Sequence, residues 1–200
     1  APGFVAEADG LVYQPGFTLT FRSASTLDLL RFVPDSGAVP ARPFVIRGQT
    51  FPLTTNASAF DSRGVAILDG PRSRCEATCS ALSEPQACLE SCAENVPLRI
   101  YMANRTPAQL LVGRVETIIN RTGDPAAPSS VTENVFFFDS IPLNFGPTRV
   151  KIGRVVDEAG QFVDRVFAVC FDSRSVFVID PETERVETII QTGRGPQDVA

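Results

Sequence analysis

An internal repetition constrains the fold of this chain more than any other sequence feature. The hexapeptide RVETII occurs unchanged at residues 114–119 and 185–190. Two Gly-Pro pairs, which begin at Gly146 and Gly195, are each followed by a valine three residues after the proline, and residues 63–67 (RGVAI) form a weaker copy without the proline. Such self-similarity predicts a protein built from similar units that stack on one another.

The segments around these repeats have the composition of short β-strands. They are rich in Val, Ile and Phe, and 16 Pro and 14 Gly residues favour turns over long helices. We predict strands at 17–21, 27–32, 44–46, 98–102, 110–119, 135–138, 166–171, 176–179 and 186–190. Units of four strands are typical of β-propeller blades. The sequence therefore predicts an all-β fold, with about three four-stranded blades of an incomplete β-propeller.

The C-terminal part of the chain resembles the YVTN β-propeller repeat family, which is bacterial and exported. Residues 176–186 (VFVIDPETERV) and the TI, G, GP and VA elements that follow them look like one unit of that family. Residues 101–104 (YMAN) resemble its eponymous strand, and Asp69-Gly70 resembles the turn before that strand. Residues 166–170 (VFAVC) depart from the pattern. The resemblance covers residues 63–200 and implies four-stranded blades.

The units define the expected domain boundaries. We predict an N-terminal blade over residues 1–62, and a second blade over 63–145 that carries an insertion at 71–97. A third blade is predicted over 146–194, and the start of a fourth at 195–200. Known propellers close with about four to eight blades, so three blades and a stub do not complete a ring. Further blades are therefore expected in the full-length protein.

Four of the five cysteines form a twin C-x3-C pattern, at Cys75, Cys79, Cys88 and Cys92. Residues four apart lie on the same face of a helix, so each pair would line one side of a short helix. A turn at residues 83–85 would make the two helices antiparallel and bring Cys75 beside Cys92 and Cys79 beside Cys88. We predict two disulfide bonds with these pairings, in a small α-helical hairpin inserted into the second blade.

Two alternatives for these cysteines remain open. The C-x3-C spacing lies within the range used by cysteine zinc sites, and free thiols are also compatible with the sequence. The pattern resembles the twin C-x3-C hairpins of coiled-coil-helix proteins over this segment alone. Disulfides would indicate an oxidising compartment, namely the periplasm, the outer cell surface or the extracellular space. Cys170, in an apolar run, is expected to be a buried residue without a redox role.

The composition excludes several classes of function. The net charge of −5 argues against nucleic-acid binding, and no segment approaches the ~20 apolar residues of a membrane span. The chain contains no His, which removes His-based triads, His zinc ligands and His proton shuttles. We predict no catalytic, cofactor-binding or metal-binding residue in this chain.

Acidic clusters are the remaining candidates for chemistry. Asp157 and Glu158 lie at a predicted turn, and Asp180, Glu182 and Glu184 lie at a strand end and the turn after it. Asp and Pro at such positions favour turn formation, and a carboxylate binding site is the alternative. The apolar run at 135–138 is expected to be a core strand between blades rather than an exposed patch.

Two functions are compatible with these features. The first is an exported, non-catalytic propeller that acts as a binding or interaction scaffold, with the cysteine hairpin projecting from one rim to recognise a protein or cell-envelope ligand. The second is a propeller enzyme, a lactonase-like hydrolase or quinoprotein-like oxidoreductase, whose active-site residues lie partly outside this chain. The absence of His and Trp favours the first, because such enzymes place metal ligands or cofactor-stacking aromatic residues around the channel.

Overall fold

A computed structural model of the chain describes residues 6–8, 11–18, 24–33, 44–53, 60–121 and 130–199. They form three four-stranded antiparallel sheets and a helical hairpin, and the strand order within each sheet follows the chain. The first sheet contains β1 (Ala6–Ala8), β2 (Leu11–Thr18), β3 (Ala24–Val33) and β4 (Phe44–Pro52). The second contains β5 (Phe60–Leu68), β6 (Leu98–Thr106), β7 (Gln109–Asn120) and β8 (Ser130–Pro142). The third contains β9 (Pro147–Val156), β10 (Phe162–Cys170), β11 (Ser175–Asp180) and β12 (Arg185–Gln191).

The helices α1 (Gly70–Cys79) and α2 (Gln86–Asn95) lie between β5 and β6. The predicted all-β class and the helical hairpin are therefore confirmed. The predicted strand at 17–21 lies partly outside the described residues, since β2 ends at Thr18 and residues 19–23 are not described.

The second sheet is buried on both faces. Side chains alternate along its strands, so one set packs against the first sheet and the other set against the third sheet. On β6, Leu98, Ile100 and Met102 pack into a core with Leu27 and Leu29 of the first sheet. The intervening residues of β6 pack against the third sheet in a second core. The members that β6, β10 and β11 contribute to this second core are Tyr101, Ala103, Val166, Ala168, Cys170, Phe177 and Ile179. The three sheets therefore stack in chain order.

The first strands of the sheets pack side by side, with β5 in contact with β9 on one flank and with β1 and β2 on the other. Gly64 on β5 allows the backbones of β5 and β9 to approach each other closely. A Cβ atom at this position would lie 2.8 Å from the Cα of Arg149 on β9, which is closer than real Cβ contacts come. The sheets converge along this line of first strands, and within the described residues the stack does not close into a ring.

The two identical hexapeptides do not occupy equivalent strands. Residues 114–119 lie in β7, the third strand of the second sheet, whereas residues 185–190 lie in β12, the fourth strand of the third sheet. By contrast, residues 63–67 lie in β5 and Val150 lies in β9, and both are first strands. Two of the three copies of the glycine-valine element therefore lie in first strands, whereas the two hexapeptides lie in different strands of their sheets.

The apolar run at 135–138 lies in β8, the last strand of the second sheet, so the expectation of a core strand is only partly correct. Phe137 is buried, while Phe136 and Phe138 point to the other face and are exposed. Their rings stack with centroids 6.4 Å apart, and the guanidinium groups of Arg114 and Arg99 lie over them.

The C-terminal residues fold back along the third sheet. The Thr192 N–H donates to the Arg174 carbonyl at 2.8 Å, and the Asp198 carboxylate pairs with Lys151 of β9 at 2.9 Å and with Arg149. These interactions lower the pKa of Asp198. Residues 195–199, predicted as the start of a fourth blade, thus lie beside β9 without forming a strand.

Candidate functional site

The cysteine hairpin has the disulfide pairing that the spacing predicts. Cys75 is bonded to Cys92 and Cys79 to Cys88, with Cα atoms 5.8 and 5.5 Å apart. Pro71 lies in the first turn of α1, where a missing N–H costs no helical hydrogen bond. The two bonds close loops over sequence separations of 17 and 9 residues. A hairpin this short has little core of its own, so these bonds account for its order.

The zinc alternative for these cysteines is not supported. Among the described residues, only Cys75, Cys79 and Cys92 form a group of three side chains with metal-binding atoms within 4.8 Å of one another. All three are in disulfide bonds and have no thiolate to offer a metal ion.

Arg72 fixes the hairpin to the second sheet. Its side chain is only 3% exposed, and it donates to the carbonyls of Ala93 at 3.0 Å and Val96 at 2.8 Å and to the Thr117 hydroxyl on β7 at 3.2 Å. The Ala93 carbonyl has no partner within the helix, because the residue four positions later is Pro97, which lacks an N–H. Arg72 therefore caps the carboxyl end of α2 with a positive charge and attaches it to β7.

A second arginine attaches the outer face of α2. Arg121, just after β7, donates to Glu94 at 3.0 and 3.1 Å and to Glu90 at 3.1 Å. The pKa of Glu94 is lowered by the hydrogen bond from Arg121, and that of Glu90 by hydrogen bonds from Gln86 and Arg121. The base of the hairpin is thus held on two sides.

The tip of the hairpin projects away from the sheets. Residues 80–84, which connect the helices, are all exposed, and the Leu82 side chain is 53% exposed. An apolar side chain at the end of a short, doubly crosslinked element is available for contact with another molecule.

A cleft of about 530 Å³ lies beside the base of the hairpin. Pro71 and Arg74 of α1 form one wall, and the second sheet contributes Leu68 and Arg99. The remaining lining residues belong to the third sheet and its turns: Arg154, Phe162, Val163, Asp164, Arg165, Asp180, Pro181 and Glu182. The helical hairpin therefore forms one wall of the cleft, and the second and third sheets form the other walls.

The acidic clusters form the turns that their sequences predict. The Asp157 carboxylate accepts hydrogen bonds from the N–H groups of Ala159 and Gln161 at 2.9 and 2.7 Å. Asp180 accepts from the Glu182 N–H at 3.0 Å and the Thr183 hydroxyl at 2.8 Å. Burial raises the pKa of Asp180, but these hydrogen bonds outweigh it, so the pKa is lowered. Asp180 and Glu182 also line the cleft, which the sequence does not indicate.

Two ionisable side chains, Tyr101 and Cys170, are buried in the core between the second and third sheets. Burial raises the pKa of the Tyr101 phenol to about 12, and the neighbouring Arg99 offsets only part of that rise. Cys170 is a buried free thiol, as predicted, and burial raises its pKa to about 11. Neither group is poised to ionise near neutral pH.

Comparisons with known proteins give no match to this chain. No protein-family model matches it, and neither the curated proteins nor the solved structures yield a match. Neither helix of the described residues has the length and apolar character needed to cross a membrane.

Proposed function

We propose that this chain is part of an exported, non-catalytic β-propeller that acts as a binding scaffold, with the hairpin tip as its recognition element. The observation that carries the proposal is the rigid attachment of the hairpin. Two disulfides, Arg72 and Arg121 fix its base, while Leu82 is exposed at its end. A fixed apolar projection loses little conformational entropy on binding.

The stacking of the sheets supports a propeller. The second sheet buries both faces, and its neighbours contact it along a common line of first strands. The face of the third sheet that points away from the second carries Phe167, Val169, Val176, Val178 and Ile190. Val169, Val176 and Val178 are already buried, whereas Phe167 is half-buried and Ile190 is exposed, and we propose that a further blade covers the part of this face that stays exposed.

The two disulfides support export, because such bonds persist in oxidising compartments and are rare in the cytosol. Intact mass measured after alkylation, without and with reduction, tests this in protein isolated from its native compartment. We expect one alkylated cysteine in unfolded, unreduced protein and five after reduction. Five alkylated cysteines before reduction would contradict export.

Site-specific photocrosslinking in the native host tests recognition by the tip. A photoreactive p-benzoylphenylalanine at Leu82 is expected to give a discrete, competable adduct with a protein or cell-envelope component. Phe145 is the matched control, because it is 80% exposed and lies at the opposite end of the sheets. Adducts of equal yield at both positions, or none at Leu82, would contradict recognition by the tip.

A further inference from the structure

We propose that the two disulfides of the hairpin form one thiol–disulfide exchange unit. An external dithiol, on a protein or a small molecule, reduces Cys75 and Cys88, while a new bond between Cys79 and Cys92 keeps the two helices crosslinked. This inference does not depend on the hairpin tip having a partner, because it concerns the sulfur atoms between the helices.

The sulfur atoms of the two disulfides lie against one another. Cys79 Sγ and Cys92 Sγ, which belong to different bonds, are 3.3 Å apart. Reactive groups held roughly 3–3.5 Å apart are at the separation from which intramolecular reactions proceed. The sulfur atoms of Cys75, Cys79 and Cys92 all lie within 4.8 Å of one another, and Cys88 is not part of this group. A thiolate released at Cys79 or at Cys92 therefore lies beside the other disulfide.

The four cysteines differ in their access to solvent. Cys79 and Cys92 are 0% and 2% exposed, whereas Cys75 and Cys88 are half-buried. Each disulfide thus joins one buried cysteine to one accessible cysteine. An external thiolate attacks the accessible sulfur, because exchange requires access, and the buried partner leaves as a thiolate. A thiolate is unfavourable in a buried position, which favours its attack on the neighbouring disulfide.

Attack at Cys88 starts a balanced sequence of three exchanges. The first sulfur of the dithiol bonds to Cys88 Sγ, the Cys79–Cys88 bond breaks, and Cys79 becomes a thiolate. Cys79 Sγ then bonds to Cys92 Sγ, the Cys75–Cys92 bond breaks, and Cys75 leaves as a thiolate. The second sulfur of the dithiol attacks the first, which releases Cys88. The dithiol is thereby oxidised to a disulfide, and its two protons go to Cys75 and Cys88.

Attack at Cys75 leads to the same product. In that case Cys92 is released as a thiolate and attacks Cys79, so that Cys88 leaves. Both sulfur atoms of the new bond belong to buried residues, so a second dithiol finds no accessible sulfur to attack. The hairpin can therefore exchange one disulfide with another molecule while its two helices stay joined.

Partial reduction of the folded full chain tests the proposal, with dithiothreitol as the dithiol. One molar equivalent is added in mildly alkaline buffer, free thiols are blocked with N-ethylmaleimide, and the protein is digested after leucine and glutamate without further reduction. Cleavage after Glu76, Leu82 and Glu90 separates the four cysteines. We expect most molecules with one remaining disulfide to carry N-ethylmaleimide on the two accessible cysteines and to give a peptide linked through the two buried ones.

Two controls accompany this experiment. Cys170, which is buried and free, should stay unlabelled, and its labelling identifies unfolded molecules, which are left out of the comparison. The double variant Cys75→Ser, Cys92→Ser keeps only the other disulfide. The same treatment should label Cys79 and Cys88 in that variant, because Cys79 then has no neighbouring disulfide to attack. The proposal is overturned if most one-disulfide molecules of the wild type retain Cys75–Cys92 or Cys79–Cys88, or if no one-disulfide species accumulates.

Discussion

The replacement of Arg72 by Met gives the sharpest prediction from this structure. Met retains the apolar stem and removes a buried guanidinium that donates to Ala93, Val96 and Thr117. Hydrogen bonds from a charged donor contribute roughly 1.5–3 kcal/mol each, and they are not additive because one group makes all three. Removal also leaves two helix-end carbonyls unpaired. We expect Arg72→Met to lower the free energy of unfolding by about 3–5 kcal/mol.

Urea unfolding followed by far-UV circular dichroism measures this loss. Arg74→Met is the matched control, because Arg74 lies two residues away on the same helix and is exposed, and it should change stability by less than about 0.5 kcal/mol. Hydrogen exchange should show faster exchange in α2, while the disulfides stay intact. A loss below about 1 kcal/mol for Arg72→Met would refute the account of Arg72 as the anchor of the hairpin.

The remaining predictions concern the sheet contacts, a turn carboxylate and the free thiol. Gly64→Ala should destabilise the protein by about 1–3 kcal/mol in urea unfolding, because its Cβ would meet the β9 backbone, whereas Gly193→Ala has open space and should be neutral. The pKa of Asp180 is lowered in the folded state, so its stabilising effect is complete above the unfolded value of about 3.9 and is lost as pH falls through the folded pKa. Asp180→Asn should therefore make stability fall less steeply with acidification, and an unchanged slope would contradict this. Cys170, with a pKa raised to about 11, should resist iodoacetamide at pH 8 until the protein unfolds, and rapid alkylation of folded protein would contradict its burial.

The parts of the fold that depend on local periodicity could be predicted from the sequence. The C-x3-C spacing places each pair of cysteines on one helix face, and together with the antiparallel turn at residues 83–85 it gives the pairing of Cys75 with Cys92. Short segments rich in β-branched and aromatic residues, bounded by turn residues, likewise give most strands. The role of Arg72 could not be predicted, since its contacts include the backbone carbonyls of Ala93 and Val96, and the identity of a residue does not show what its backbone binds.

The hexapeptide shows where sequence identity misleads. RVETII suits any strand with one exposed face, so it serves as part of the third strand β7 and as the edge strand β12. Position within a sheet is indicated instead by features such as Gly64, which lets the first strands β5 and β9 approach each other. The cleft could not be predicted either, because Arg74 on α1 lies far in the chain from Arg154 and Asp164, which face each other on β9 and β10.

Crosslinking from Leu82 in the wild-type and Arg72→Met proteins shows whether attachment of the hairpin to the sheets is needed for recognition by the tip. If a rigid hairpin, fixed by Arg72, presents the tip to its partner, we expect a discrete adduct from Leu82 in the wild type. We expect a strongly reduced adduct in Arg72→Met, although the tip sequence and both disulfides are unchanged. An equal adduct in both proteins would contradict the claim that attachment to the sheets is what makes the hairpin a recognition element.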